Sequence, residues 1–562
     1  MSMITATTWV PRGFAAQFPT KYQIDDAELE RISELAKIQL EDAKEDLEEA
    51  QNGEASGIAK EDNKDEEKQK AQATNVASIK GNLDIDDDLK EYDLDHYDSE
   101  PGGKSGDALE MFGNVKSLAY YKSNAEDPYI TLQDDDNDDE EEREDLQILG
   151  TDNMVLAAKV EDEVAHLEVY VYEDEADNLY VHHDVMLPSI PLCVEWLDIP
   201  VGNGPVEKNS RGNFVAVGTF EPDIELWDLD IVDCMYPNAV LGQGSENPAT
   251  VAADLTKKSK KKKKKSKKAN DLYHVDAVLS LAANRQHRNL LASASADKTI
   301  KLWDLNTTIC AKSYSYHTDK VCALSWNTAE PTILLSGSYD RTAVAADMRA
   351  PDATAPRWGV ESDVETVRWD PHDPHFFYIT TENGLIHYHD ARAAPSSPSA
   401  SKPIWTLQAH DAAVSSFDIN PVIPGFLATG SMDKQVKLWN IQPSGPSMVV
   451  SRDLDVGKVF STTFAPDKEV GFRLAVAGSK GTMQIWDTST NGAVRRAFAG
   501  RIANVGDEGE VKERLVGVRE EEEEEEEESS GSESGDEDDG DAGEGQADST
   551  SDRDGWESMD ED

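Results

Sequence analysis

The sequence predicts an all-β protein, a β-propeller of seven blades with disordered acidic extensions at both ends. Three observations predict it. Three strand-rich segments end alike: "LASASADKTIKLWD", "LLSGSYDRTAVAADM" and "LATGSMDKQVKLWN". His274, His317 and His410 precede these ends, each followed after 23 residues by Asp297, Asp340 or Asp433 and after 29 by Trp303, Ala346 or Trp439. Finally, only 38% of the 562 residues are hydrophobic while 30% are charged, a balance that leaves room for one large core and unpacked tails rather than for a wholly globular chain.

Residues 1–110 read as an N-terminal segment. Leu29, Ile32, Leu40 and Leu47 recur at helical spacing within it and predict one acidic helix over about 25–49. The rest of that segment is polar, acidic and poor in aromatics, and is expected to be mostly disordered. The propeller is expected over 111–500, where short β-like runs such as "NMVLAAKV", "HLEVYVYE" and "NLYVHHDV" are separated by acidic or Asn-containing turns. Worn copies of the repeat end at Trp227, His389 and Trp486, with Asn383 and Lys480 where the last two would carry the aspartate. The six ends are separated by 76, 43, 43, 50 and 47 residues, and all but the first suit a blade of about 40–45 residues. A seventh, degenerate blade is assigned to the runs from Tyr129 to His183. The long first spacing implies an insertion between the second and third blades, at about 241–273. Residues 501–562 read as a disordered acidic tail, since nine consecutive glutamates begin at Glu520.

A histidine before the first strand and an aspartate in a later turn can share buried hydrogen bonds. A hydroxyl (Ser293 or Ser295 in the first segment) and the tryptophan N–H would complete the network. These residues are therefore read as structural, and the His-Asp-Ser set is not a hydrolase triad. The pattern resembles the WD40 repeat, in which four strands make one blade.

The insertion holds Lys257, Lys258, Lys260, Lys261, Lys262, Lys263, Lys264, Lys265, Lys267 and Lys268, broken only by two serines, in a chain of net charge -58. Three readings are open: a nuclear-localisation signal, a contact to nucleic-acid phosphates, or a solvated loop that meets the chain's own acidic tails. At physiological salt a Debye length of about 8 Å lets the loop respond to near neighbours more than to distant tails. The acidic ends suit basic partners such as histones or ribosomal proteins. Ser530, Ser534, Ser549 and Ser551 each have an acid three residues on, the pattern favoured by acid-directed kinases, and are candidate phosphorylation sites.

No Gly-rich phosphate loop, zinc-spaced Cys/His set or nucleophile elbow is present in the sequence, so no enzyme activity, cofactor or metal is expected. His372, His375, His387 and His389 form the one histidine concentration, and spacing divides them between a strand and a turn. Cys193, Cys234, Cys310 and Cys322 form no CxxC pair, which favours a reducing compartment. No apolar run reaches the roughly 18 residues of a membrane span, and the first residues hold no compact apolar signal, so neither membrane insertion nor secretion is expected.

The stretches "TWVPRGFAAQFPTKY" and "HLEVYVYEDEADNLYVHHDVMLPSIPLCVEWLD", together with "IELWDLDIVD" and the lysine-rich loop, resemble the periodic tryptophan protein 1 family of nucleolar WD40 proteins. The resemblance extends to Asp487. It implies a scaffold for large-subunit (60S) ribosome assembly and precursor rRNA processing, monomeric within a larger assembly of ribosome assembly factors, ribosomal proteins and precursor rRNA. It also implies links to chromatin and ribosomal-DNA transcription. The alternative is a histone-binding WD40 protein acting in that transcription.

Overall fold

The second strand of most blades shows no polar–apolar alternation. Phe214–Thr219, Leu290–Ser295, Ile333–Ser338, Phe426–Gly430 and Arg473–Gly478 are buried almost throughout, as a strand covered on both faces must be. In the computed structural model, seven four-stranded antiparallel sheets stand side by side in a ring, and seven apolar clusters fill the spaces between neighbours. The chain is a seven-bladed β-propeller. The structure describes residues 2–22, 143–144, 146–162, 164–201, 211–242, 270–350, 353–498, 501 and 513–518.

Small residues set the closeness of the blades. A Cβ on Gly337 would lie 2.7 Å from Val364 Cγ1 and 2.8 Å from Val367 Cγ1, both on the inner strand of the next blade. Gly430 repeats this against Val459 at 2.4 Å. The second strand of one blade is thus trimmed so that the inner strand of the next can seat against it.

Two boundaries differ from those the sequence suggests. Residues 2–10, expected to lie in a disordered N-terminal segment, form the innermost strand of blade 1. Ser2–Val10 pairs antiparallel with Asn153–Glu161, which continues through Val164–Glu173 to Asn178–Leu187. The seventh blade therefore takes its first strand from the start of the chain rather than from Tyr129 onward. At the other end Arg514–Gly517, expected in the acidic tail, is the outer strand of blade 7. The propeller thus spans Ser2 to Gly517. The helix expected over 25–49 lies outside the described residues. After blade 1's inner strand, Thr20–Lys21 pairs with Ile231–Val232 of blade 2, and the Phe14 ring meets Trp196 edge-on at 4.7 Å.

The ring closes where blade 1 meets blade 7. Thr7 N and Oγ1 lie 3.2 and 2.8 Å from Ser461 Oγ, and Trp9 Nε1 donates to the Thr463 carbonyl at 3.0 Å. A charged network reinforces the seam farther out. Arg473, 8% exposed, reaches Asp174 Oδ1 of blade 1 at 2.8 Å and Asp487 Oδ1 at 2.6 Å. Arg514 adds ion pairs to Asp174 and Asp177.

Inner strands run from the end that carries the relay histidines to the opposite end, and outer strands run back. Blade 2's outer strand ends at Leu241 and the next described residue is Asn270, four before His274. The lysine-rich insertion is accordingly rooted on the histidine face, as is the chain beyond Gly517. The stretch between Tyr22 and Arg143 is rooted on the opposite face.

Removing one partner of a buried, paired charge leaves the others uncompensated. Arg473→Ala is expected to lower the unfolding free energy by about 3–5 kcal/mol, measured by urea denaturation, and to make residues 2–10 accessible to protease.

Candidate interaction surfaces and the blade relays

In blade 3 the buried His274 Nδ1 lies 2.9 Å from Asp297 Oδ2, and its Nε2 lies 2.6 Å from Ser293 Oγ. Trp303 Nε1 donates to the same Oγ at 2.8 Å. The set is self-consistent with the proton on Nδ1: the indole donates to the hydroxyl, the hydroxyl to Nε2, and Nδ1–H to the carboxylate. Blade 6 repeats it with His410, Asp433, Thr429 and Trp439. Blade 4 has His317, Asp340 and Ser336, but Ala346 supplies no indole N–H; Ser336 Oγ lies 3.3 Å from the Val344 carbonyl, as Thr429 Oγ1 does from that of Lys437 in blade 6. Of the two serines open in blade 3, Ser293 joins the relay and Ser295 donates to the Asp276 carbonyl at 3.0 Å.

Each relay aspartate also holds its turn. Asp297 Oδ1 accepts from Thr299 N at 2.9 Å, Asp340 Oδ1 from Thr342 N at 3.1 Å and Asp433 Oδ1 from Gln435 N at 2.8 Å. This Asx turn sustains Lys298, Arg341 and Lys434 at φ of 72°, 63° and 69°. Where the aspartate is missing, in blade 5, glycine takes the left-handed position: Gly384 at φ 83° packs so closely that a Cβ would lie 2.0 Å from the His410 carbonyl oxygen.

The worn copies lack the hydroxyl. Ten residues before Trp227, His389 and Trp486 stand Val217, Ile379 and Val476. Trp227 Nε1 turns to Glu225 Oε2 at 3.2 Å, while Trp486 Nε1 is buried with no hydrogen-bond partner among the described residues. His389 stacks on Phe377 with ring centroids 5.4 Å apart. Burial, and then neighbouring His387, pushes its imidazole down to about 4. Burial also lowers His274 and His410 despite their aspartates. Burial works to raise Asp297, but hydrogen bonds from His274 and Thr299 outweigh it and bring the carboxyl to about 2.

A further repeat position escaped the sequence reading. Asn284, Asn327 and Asn420 each follow a relay histidine by ten residues. All three are buried, and each donates Nδ2–H to a backbone carbonyl of the following blade: Pro331 at 2.6 Å, Pro374 at 2.8 Å and Gly471 at 2.6 Å. Blade 5 has Asp370 here, which cannot donate, and His372 Nε2–H reaches the Asn420 carbonyl instead at 2.9 Å. The constant offset from each histidine was the available signal.

The asparagine-face mouth of the central channel is a cavity of about 530 Å³ whose lining includes Trp9, Trp196, Trp326 and Trp369. Arg285 is tied there to Glu195 at 2.9 Å, whereas Arg368 is exposed and makes no ion pair within the described residues. Among those residues no group of three or more His, Cys, Asp or Glu could hold a metal, and His387 and His389 stand 6.3 Å apart by ring centroid. The ten lysines and the four candidate phosphoserines lie outside the described residues.

A model of the WD domain, G-beta repeat, matches residues 269–304, 308–344 and 401–440. These segments carry the three His–Asp relays. The Saccharomyces cerevisiae periodic tryptophan protein 1 is 39% identical to this chain, over 92% of this chain and 93% of that protein. The chain belongs to the periodic tryptophan protein 1 family. A family homologue of Drosophila melanogaster is 30% identical over 89% of this chain and 96% of that protein. An uncharacterized WD repeat-containing protein of Schizosaccharomyces pombe is 49% identical, over 92% and 94%. WD40 propellers of this kind are in general interaction scaffolds rather than catalysts.

Ser293→Ala would orphan both the Trp303 N–H and His274 Nε2, and is expected to cost about 1–3 kcal/mol in chemical denaturation. His389 gives a pH effect of defined sign. Its folded pKa, about 4, lies below the ordinary 6.5, so its contribution is fully present above pH 6.5 and is lost as pH falls toward 4. The full loss is on the order of 3 kcal/mol. His389→Phe should flatten the fall in stability across that window, read as melting temperature against pH.

Proposed function

We propose that this protein is a non-enzymatic scaffold of ribosome biogenesis in the nucleolus. In this reading it assists precursor rRNA processing and assembly of the large ribosomal subunit through protein and rRNA contacts. One observation carries the reading: a chain of net charge -58 keeps ten lysines within the twelve residues 257–268, rooted between blades on one face of a rigid ring. Family membership along nearly the whole chain supports it, because the nucleolar role is what the family resemblance implies. The ten adjacent lysines repel one another, and a polyanionic partner would relieve that repulsion by neutralising them. The relay residues meanwhile satisfy one another inside the blades, which leaves the faces and the channel mouths for partners.

The test is purification of the tagged protein from nuclear extract, with and without RNase, comparing the intact chain with one lacking 257–268. The expected result is recovery of precursor rRNA of the large subunit together with assembly factors, reduced by the deletion. Recovery of histones alone, insensitive to RNase, would replace this reading with the chromatin one.

A further inference from the structure

We propose that a groove between the outer strands of blades 3 and 4 binds the phosphate backbone of single-stranded RNA, with Lys312 as the phosphate contact and Tyr316 as a stacking surface. The proposal rests on the rRNA reading above and deepens it by assigning a contact to the folded ring.

The groove has a volume of about 510 Å³, and its lining includes Lys312, Ser313, Ser315, Tyr316, Thr354 and Arg357, with no carboxylate among the described residues. In a chain with 112 acidic residues such a lining favours an anion over a cation. Lys312 is exposed and makes no ion pair within the described residues. Arg357 is already committed: it donates to the Tyr316 carbonyl, and its Nη1 lies 3.6 Å from Asp340 Oδ2. That carboxylate faces away, accepting from His317, Thr318 N and Thr342 in the blade 4 relay. Arg357 therefore stiffens the groove wall and leaves Lys312 as the available cation. Tyr316 is half-buried, its ring stacked on the buried Tyr314 at 5.6 Å and 20°. A braced aromatic beside a lysine and two hydroxyls matches the needs of a nucleotide, a π-face for the base and donors for the phosphate.

The position of the groove favours a polymer over a single phosphate. Asn270 is two residues beyond the last lysine of the run, and its carbonyl accepts from Lys301 Nζ at 2.6 Å. The same Nζ donates to Ser313 Oγ in the groove lining at 3.0 Å. The chain thus re-enters the described ring at the groove edge, which suits an occupant that extends beyond the groove.

The experiment is fluorescence anisotropy of the full chain with a fluorescein-labelled, mixed-sequence single-stranded RNA over a range of salt. Lys312→Gln and Tyr316→Ala are each expected to weaken binding about three- to tenfold, and Lys312→Gln to make the salt slope shallower by about 0.7. Lys312 is exposed, so its variant keeps the fold whatever Tyr316→Ala does, and circular dichroism checks both. Unchanged affinity and slope in Lys312→Gln, with binding still lost on deleting 257–268, overturns the groove and leaves the rRNA reading standing. Lys312-dependent binding of a phosphoserine peptide that this RNA fails to displace also overturns it. Failure of the extract purification to recover any precursor rRNA removes the reading beneath it.

Discussion

Closure of the ring at blade 1 is the constraint on which the rest depends. A four-stranded sheet has two faces to bury, and in this protein every face is buried against a neighbouring sheet. An open ring would expose two apolar faces, one carrying Ile4, Trp9, Val155 and Tyr170 and the other Ala475, Met483 and Ile485. Residues 2–10 meet this need by supplying the inner strand that packs beside blade 7 on one side and blade 2 on the other. The Arg473–Asp174–Asp487 network then fixes the seam toward the rim. Closure joins segments more than 450 positions apart in sequence, as in the Thr7–Ser461 contact. The loop entropy of that contact must be offset by burial elsewhere in the ring.

Within the closed ring two kinds of polar fastening divide the labour. The His–Asp–hydroxyl relays act inside a blade, tying the turn before the inner strand to the turn between the middle strands. The Asn284, Asn327 and Asn420 side chains act between blades, each donating to the backbone of the next. Blades without a relay rely on apolar filling at the same positions, Val217, Ile379 and Val476, and are joined by the same interfaces. Redundancy of this kind lets individual copies wear, as at Ala346 and His389, without loss of the architecture.

Function is laid over this frame as charge. The insertion rooted between Leu241 and Asn270 is basic, whereas the long stretch from Tyr22 to Arg143 and the tail past Gly517 are rich in acids. A rigid ring fixes where these opposed charges emerge. It roots the lysine-rich insertion on the histidine face and the long acidic stretch on the other.

Most of the fold was legible in the sequence because the blade is a local unit. The 23- and 29-residue offsets from His274, His317 and His410 reflect contacts made within one blade, so spacing alone exposed them, and with them the position of the insertion. Residue type also ruled the relays structural, since a hydroxyl, an imidazole and a carboxylate at those offsets satisfy one another. The Asn offset of ten was equally periodic, but its partner lies in the next blade and its purpose appears only once the blades stand together. Ring closure was beyond sequence spacing for a deeper reason: "SMITATTWV" has no repeat partner nearby, and its strand character is decided by Asn153–Glu161 and blade 7, brought to it only in the closed ring. Tertiary packing likewise chose Ser293 over Ser295, set His389 on Phe377, and assembled a groove from strands whose residues are unremarkable one by one.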